Sequence, residues 1–217
     1  MKYNTIVFCD FDGTVTEEET LTGFLRLTVP EHAAKIEGEI RSGQKTLSQS
    51  IRDCFARVPS RELPRLYDYI SSVKIRPGLE ELLDFLGNMH IPFVLLSGGL
   101  PQMIEASLGH LKEKMFGFHS SDLDVSGPFM NISSLWDDGN EIVAKAKVME
   151  TYDYNQAVCI GDGYTDMNMA KKSDIVFARD FLAKIMETEG KPYFPWNDFF
   201  DIINSWEKAV VSPSKLR

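Results

Sequence analysis

Cysteine is scarce: Cys9, Cys54 and Cys159 are three in 217 residues, and no two form a Cys-x-x-Cys pair. A disulfide-built scaffold is therefore not expected, and the odd number suits a reducing compartment. Cys9 and Cys159 lie inside apolar runs and are expected to be buried, inert thiols. Positive charge is also in short supply, with 23 Lys and Arg against 32 Asp and Glu, a formal net charge of −9. A surface of that sign repels nucleic acid and anionic membrane, so neither is expected as a partner. An anionic small molecule would have to be drawn in by a local site, against the global field. No apolar run reaches the length of a membrane span. The N-terminus enters Tyr3-Asn4-Thr5-Ile6-Val7-Phe8 directly, so no signal peptide and a cytoplasmic location are expected. Internal repeats and low-complexity tracts are absent.

What is present suits a packed core. Hydrophobic residues make up 43% of the chain, and there are fourteen Phe. This argues against disorder and fits one domain, or one domain carrying an inserted smaller one. Four apolar, strand-like runs stand out. Thr5–Cys9 ends in Asp10-Phe11-Asp12-Gly13-Thr14, and Phe93–Leu96 ends in Ser97-Gly98-Gly99. Ala157–Ile160 ends in Gly161-Asp162-Gly163, and Ile175–Ala178 ends in Arg179-Asp180. Runs without alternation indicate strands covered on both faces, the mark of a parallel sheet sandwiched by helices. The stretches between them have helical texture. Gly78–Met89 follows Pro77, a natural helix start, and Gln102–Leu111, Ala146–Tyr152 and Thr165–Lys172 are similar.

Residues 15–74 break this rhythm. They carry helical stretches near 18–28, 33–42, 48–57 and 61–72, and no clear strand. We read them as a helical insertion after the first strand, placed over the carboxyl edge of the sheet. Residues 116–136 read as short β pieces with a turn at Ser126-Gly127-Pro128, forming a hairpin beside the site. The aromatic tail from Pro192 should end in a helix and pack on the core.

In open α/β sheets ligands sit at the carboxyl ends of the strands. That edge gathers Asp10 and Asp12, then Ser97-Gly98-Gly99, then Asp162 and Asp166. Four carboxylates so close cannot all stay ionised without a counter-cation. Lys145 supplies one positive charge, and oxygen ligands without His or Cys favour Mg²⁺ over zinc. A metal- and lysine-neutralised phosphate is open to attack by the Asp10 carboxylate, with Asp12 as general acid and base. Ser97 and the N–H groups of Gly98 and Gly99 could hold phosphoryl oxygens. Taken singly, these motifs are plain: Asp-x-Asp is a surface loop, Ser-Gly-Gly a turn, and Gly-Asp-Gly-x-x-Asp a helix cap. Their joint order at the ends of strand-like runs is what carries the reading.

Asp10-Phe11-Asp12-Gly13-Thr14-Val15, Leu96-Ser97-Gly98-Gly99, Lys145 and Gly161-Asp162-Gly163-Tyr164-Thr165-Asp166 resemble the four motifs of the haloacid dehalogenase-like phosphatases. The resemblance spans almost the whole chain. It implies a Rossmann-like core, residues 1–14 and 76–217, with a helical cap at 15–75. It implies Asp10 as nucleophile, Asp12 as general acid/base, and phosphate binding by Thr14, Ser97, Gly98, Gly99 and Lys145, with Lys147 a rival for the lysine. Mg²⁺ would be held by the Asp10 carboxylate, the Asp12 carbonyl and Asp162, with Asp166 ordering its waters.

The long helical cap and Ser-Gly-Gly are similar to the phosphoserine phosphatase branch. Glu19 and Arg52 lie where that branch grips the amine and carboxylate of serine, although both residue types are ordinary on a surface. Phe177-Ala178-Arg179-Asp180 and Pro195-Trp196-Asn197-Asp198-Phe199-Phe200 are closer to methionine-salvage phosphatases acting on 2-hydroxy-3-keto-5-methylthiopentenyl-1-phosphate. Trp136–Glu141 lacks the cysteines those enzymes carry before the lysine. Phe24, Met103 and Phe129 are either core or the wall of an apolar leaving-group pocket. The expected partner is a small phosphorylated metabolite, hydrolysed by a monomer or homodimer. A phosphotransferase or a catalytically silent binding module on the same fold are the alternatives.

Overall fold

The computed structural model describes residues 2–211. Among these residues eight strands run β1 (Tyr3–Asp10), β2 (Phe93–Leu96), β3 (Gly117–His119), β4 (Asp122–Asp124), β5 (Asn131–Ser133), β6 (Tyr154–Gly161), β7 (Ile175–Ala178) and β8 (Phe194–Pro195). Six of them form one sheet in the order β3-β2-β1-β6-β7-β8, with every neighbouring pair parallel. β1 and β6 are central, so the two longest apolar strands take the positions covered from both sides. Side chains alternate between the faces of a strand. Accordingly Ile6 and Phe8 enter one hydrophobic cluster, while Val7 and Cys9 enter the other. All three cysteines are free and buried.

The segment between β1 and the core helix that precedes β2 is helical: α1 (Thr20–Thr28), α2 (Pro30–Ala33), α3 (Ile36–Arg41), α4 (Leu47–Phe55) and α5 (Leu63–Ser72). α4 begins at a reciprocal cap, with the Thr46 hydroxyl accepting from Gln49 N at 3.2 Å and the Gln49 side chain accepting from Thr46 N at 3.0 Å. The chain leaves and re-enters the core side by side, with an antiparallel bridge between Thr16 and Ile75. The core helices are α6 (Leu79–Asn88), α7 (Pro101–Leu108), α8 (Lys145–Met149), α9 (Met167–Lys172), α10 (Asp180–Glu189) and α11 (Phe199–Trp206). No helix among the described residues is long and apolar enough to cross a membrane.

β4 and β5 form the expected two-stranded antiparallel hairpin. β3 falls among the short β pieces expected over 116–136 but joins the edge of the main sheet beside β2 instead of the hairpin, and β8, which the sequence did not reveal, extends the other edge. At two residues β8 is too short for periodicity to mark it. The tail packs as expected: Trp196, Phe199 and Trp206 are buried in the cluster on the α6 face.

Candidate active site

A parallel sheet presents all its carboxyl ends on one edge. β1 therefore delivers Asp10 as its last residue, paired with Leu96 of β2, which brings Ser97 alongside. β6 ends at Gly161 and hands over to Asp162. The turn after β1 needs Gly13, whose φ is +80° and where a Cβ would come within 2.5 Å of Asp162 Oδ2. A Cβ at Gly161 would come within 2.6 Å of Asp166 Oδ2, so both glycines make room for carboxylates.

Asp10, Asp162 and Asp166 each offer an oxygen within 4.8 Å of the others, and all three residues are buried. Burial, then Asp166, pushes the Asp10 carboxyl well above its usual range, against the pull of Lys145. Burial, then Asp166, raises Asp162 to about 6, against the Thr14 hydroxyl and Lys145. Lys145 is 1% exposed and its Nζ donates to Asp10 and, at 2.6 Å, to Asp166. Burial alone would lower its pKa, but the charges of Asp10 and Asp166 outweigh that and raise it well above the usual value. Lys147 is exposed on the far side of α8 from this cluster. One ammonium against three buried carboxylates leaves negative charge uncompensated. An all-oxygen donor set of this kind fits a hard metal ion, and the three aspartates could hold one.

Asp12 faces differently. Its Oδ1 accepts from Thr20 N at 2.9 Å, from Leu21 N at 3.3 Å and from the Thr20 hydroxyl, which caps the first turn of α1 from outside the helix. Its Oδ2 accepts from Ser97 Oγ at 3.3 Å, and Ser97 Oγ in turn accepts from Gly99 N at 2.8 Å. Burial raises the Asp12 carboxyl, and the donors at Thr20 and Leu21 partly offset this. Sequence reasoning missed Thr20. A threonine opening a helix reads as an ordinary start, and its partner lies eight residues away. Asp166 organises the β6 loop, with Oδ2 accepting from the N–H groups of Asp162 and Gly163, both at 3.0 Å.

Over this edge the helical segment encloses a cavity of about 110 Å³ that contains Asp10, Asp12, Gly98 and Lys145. Its wall is apolar where the segment and the 142–143 loop meet: Leu21, Leu47, Ile51, Ile142 and Val143. Glu19 and Glu141 line it as well. Glu19 stays water-accessible, so the upward push on its carboxyl from its crowded surroundings and Asp12 is screened.

Four of the residues expected to meet substrate do not line the cavity: Ser97 and Gly99 lie just behind Asp12, hydrogen-bonded to it and to each other through Ser97 Oγ, and Thr14 and Arg52 are turned elsewhere. Thr14 does not line the cavity; it is fully buried and gives its hydroxyl to Asp162 Oδ1 at 2.7 Å. Arg52 does not line it either. Its guanidinium reaches Asp137, with Nε to Oδ2 at 3.2 Å, and the Ser48 hydroxyl donates to the same oxygen at 2.8 Å. Helical spacing explains the exchange: Ile51, one residue earlier on α4, points to the cavity instead. Phe24 and Met103 are core, and Phe129 is exposed, so none of the three forms the wall.

The haloacid dehalogenase-like hydrolase profile matches residues 7–171. The chain belongs to that family. A 2-hydroxy-3-keto-5-methylthiopentenyl-1-phosphate phosphatase of Microcystis aeruginosa is 39% identical over 199 residues, 91% of this chain and 95% of that protein. One of the same name from Geobacillus thermodenitrificans is 27% identical, covering 97% of this chain and 99% of its own. Among solved structures, a substrate-bound phosphoserine phosphatase superposes with a TM-score of 0.71 at 20% identity, over 94% of this chain and 98% of that one. A phospho-aspartyl intermediate analogue of phosphoserine phosphatase gives 0.68 at 20% identity, over 94% and 99%. At that identity the structural likeness speaks for the fold. The enzyme is a phosphatase of the haloacid dehalogenase-like hydrolases, and its helical segment after β1 occupies the place of that family's cap.

Proposed function

We propose that this phosphatase hydrolyses 2-hydroxy-3-keto-5-methylthiopentenyl-1-phosphate through an aspartyl-phosphate on Asp10. The Asp10 carboxylate attacks phosphorus while the ester P–O bond breaks, and Asp12 protonates the departing oxygen. Asp12 then takes a proton from water, whose oxygen attacks the phosphoryl group, releasing inorganic phosphate and restoring Asp10. Three donors hold Asp12 Oδ1 and a single longer one, Ser97 Oγ at 3.3 Å, meets Oδ2, so Oδ2 is the oxygen that would carry the proton. Lys145 meets the incoming phosphate with a charge that burial strengthens. Ser97, Gly98 and Gly99 complete the phosphate seat. Asp10, Asp162 and Asp166 would hold Mg²⁺, with the Asp12 carbonyl as a further ligand. When bound, that ion supplies the positive charge that draws electron density from the phosphoryl oxygens.

The observation that carries the choice of ester is the cavity wall. Leu21, Leu47, Ile51, Ile142 and Val143 suit a methylthio-alkyl tail, and Lys145 is the sole cation among the described lining residues. A serine carboxylate would call for an arginine fork, and Arg52 is engaged by Asp137. The relatives at 39% and 27% identity carry the name of the same ester. Glu19 at the cavity favours phosphoserine as the second reading, through its amine. We take residues 15–75 as the cap and 1–14 with 76–217 as the core, because the Thr16–Ile75 bridge joins the two crossings. The placement of the cavity beneath that cap, with Lys145 buried at its floor, favours a small metabolite over a macromolecule.

Phosphate release with Mg²⁺ across a panel of small esters tests this, with Asp10→Asn as control. A dominant kcat/KM for the methylthiopentenyl ester is expected. Dominance of phosphoserine moves the assignment to the second reading. A folded, metal-binding protein that releases nothing favours the silent module.

A further inference from the structure

Arg76 is a buried arginine that the chemistry above does not use. It is 8% exposed and, among the described residues, pairs with no carboxylate. Its guanidinium instead donates to backbone carbonyls: Nε to Thr14 at 2.8 Å, Nη2 to Gly13 at 2.7 Å and to Thr16 at 3.3 Å, and Nη1 to Asn197 at 3.2 Å. Three of those acceptors belong to the turn that follows Asp10 and Asp12. Thr14 continues the connection through its hydroxyl to Asp162. Arg76 N also donates to Val15 O at 2.8 Å, where the two crossings between sheet and helical segment lie together.

The arginine is itself braced. Its guanidinium carbon lies 5.4 Å from the centre of the Trp196 ring, and that of Arg179 lies 5.3 Å from the same ring. Arg179 Nη1 donates to Asn197 O at 3.0 Å, the carbonyl that Arg76 also uses. Trp196 is 3% exposed and its ring nitrogen has no hydrogen-bond partner among the described residues. Its π face therefore carries the polar part of the interaction. Arg179, Trp196 and Asn197 all lie beyond the family match, which ends at residue 171.

We propose that Arg76 is a positioning residue that holds the 11–16 turn, and so Asp10 and Asp12, in reacting geometry, and that Trp196 holds Arg76. The proposal rests on the reading of Asp10 as nucleophile. A planar fork donating in several directions at once is what a lysine cannot reproduce, so Arg76→Lys keeps the charge and loses the geometry. Trp196→Leu keeps apolar bulk and loses the π face.

The test uses the full chain, with Arg76→Lys, Trp196→Leu and the double variant. Two quantities are read: kcat and KM for p-nitrophenyl phosphate with Mg²⁺, and amide hydrogen exchange across residues 11–18 without substrate. Misplacing a reacting group by a fraction of an ångström costs about ten- to a hundredfold, so Arg76→Lys should lose that much kcat with KM within about threefold. Trp196→Leu should lose less, and the double variant no more than Arg76→Lys, as residues acting through one another do. Exchange at 11–18 should quicken by about tenfold in each variant, with β2 and β6 still protected.

Wild-type kcat and exchange in Arg76→Lys overturn the proposal. So do multiplying losses in the double variant, or protection lost evenly across the core. If Arg76→Lys does not fold, native kcat and exchange in Trp196→Leu overturn it. Should the wild type hydrolyse no ester, the functional reading fails by itself, and the exchange measurement still decides for or against the clamp.

Discussion

The Thr14 hydroxyl donates to Asp162 Oδ1 at 2.7 Å, joining residues 148 positions apart. That bond ties the loop after β1 to the loop after β6, so the proposed nucleophile and a proposed metal ligand share one rigid unit. Gly13 lies directly beneath the same carboxylate.

Gly13→Ala should therefore harm both fold and activity. The new methyl group would sit 2.5 Å from Asp162 Oδ2, on a backbone at φ +80°. Strain of this kind costs about 1–3 kcal/mol, and displacing Asp162 should lower kcat at least about tenfold. Urea unfolding and phosphate release measure the two effects. A variant with native stability and rate would remove Gly13 from the argument.

Asp10→Asn should abolish turnover while leaving the fold intact. Asp12→Asn should slow both halves of the reaction by about 10² to 10⁴, the usual scale for a lost general acid and base. Trapped phosphoenzyme, measured after acid quench, should be absent in the first variant. Undiminished activity in either would reverse the roles assigned to the pair.

The metal-free enzyme should become less stable as pH rises. Asp162 moves from its usual 3.8 up to about 6 in the fold, so the folded state holds its proton more tightly than the unfolded chain. Its contribution is fully present below pH 3.8 and is lost as pH rises through about 6. For a carboxylate so buried, the difference is on the order of 3 kcal/mol. Thermal unfolding in chelator at pH 5 and pH 8 should show the loss, and Asp162→Asn should reduce it. Mg²⁺ should restore stability more at pH 8 than at pH 5, because a cation favours the ionised aspartates. Equal restoration at both pH values would argue against the three aspartates as its ligands.

The cavity wall and the Arg52–Asp137 pair should separate cleanly. Ile51→Asn places an amide among apolar side chains and should raise KM for the methylthiopentenyl ester by about tenfold, the scale of a mismatched hydrophobic pocket. Arg52→Gln removes an ion pair whose arginine side chain is 41% exposed, worth at most about 1 kcal/mol of stability, and should leave KM within about threefold. If Arg52→Gln raised KM more than Ile51→Asn, the arginine would belong to the substrate site after all.

Much of this architecture was legible because its signals are local. An apolar run ending abruptly in polar residues marks a parallel strand and its functional end, and four such ends were visible. The helical insertion was legible too, from helical texture without strands over some sixty residues. The two-residue β8 carries too little pattern to be read, and the β texture of 116–136 did not tell that β3 pairs with β2 in the main sheet while β4 and β5 pair with each other. Nor could the sequence tell Lys145 from Lys147 by type. The structure buries Lys145 to 1% exposure between Asp10 and Asp166 and leaves Lys147 facing solvent, which supports Lys145 as the proposed phosphate lysine.

By itself, then, the sequence determined the parallel sheet, the inserted helices and the chemistry gathered on one edge, because strand periodicity and strand ends are properties of neighbouring residues. Only the tertiary structure decided which polar side chain serves which partner. Thr20 turns to Asp12, Thr14 to Asp162, Arg52 to Asp137, and Arg76 to the carbonyls of the turn after β1. Hydrogen-bond partners of this kind are chosen by distance in space once the chain has closed, and no spacing along the chain encodes them.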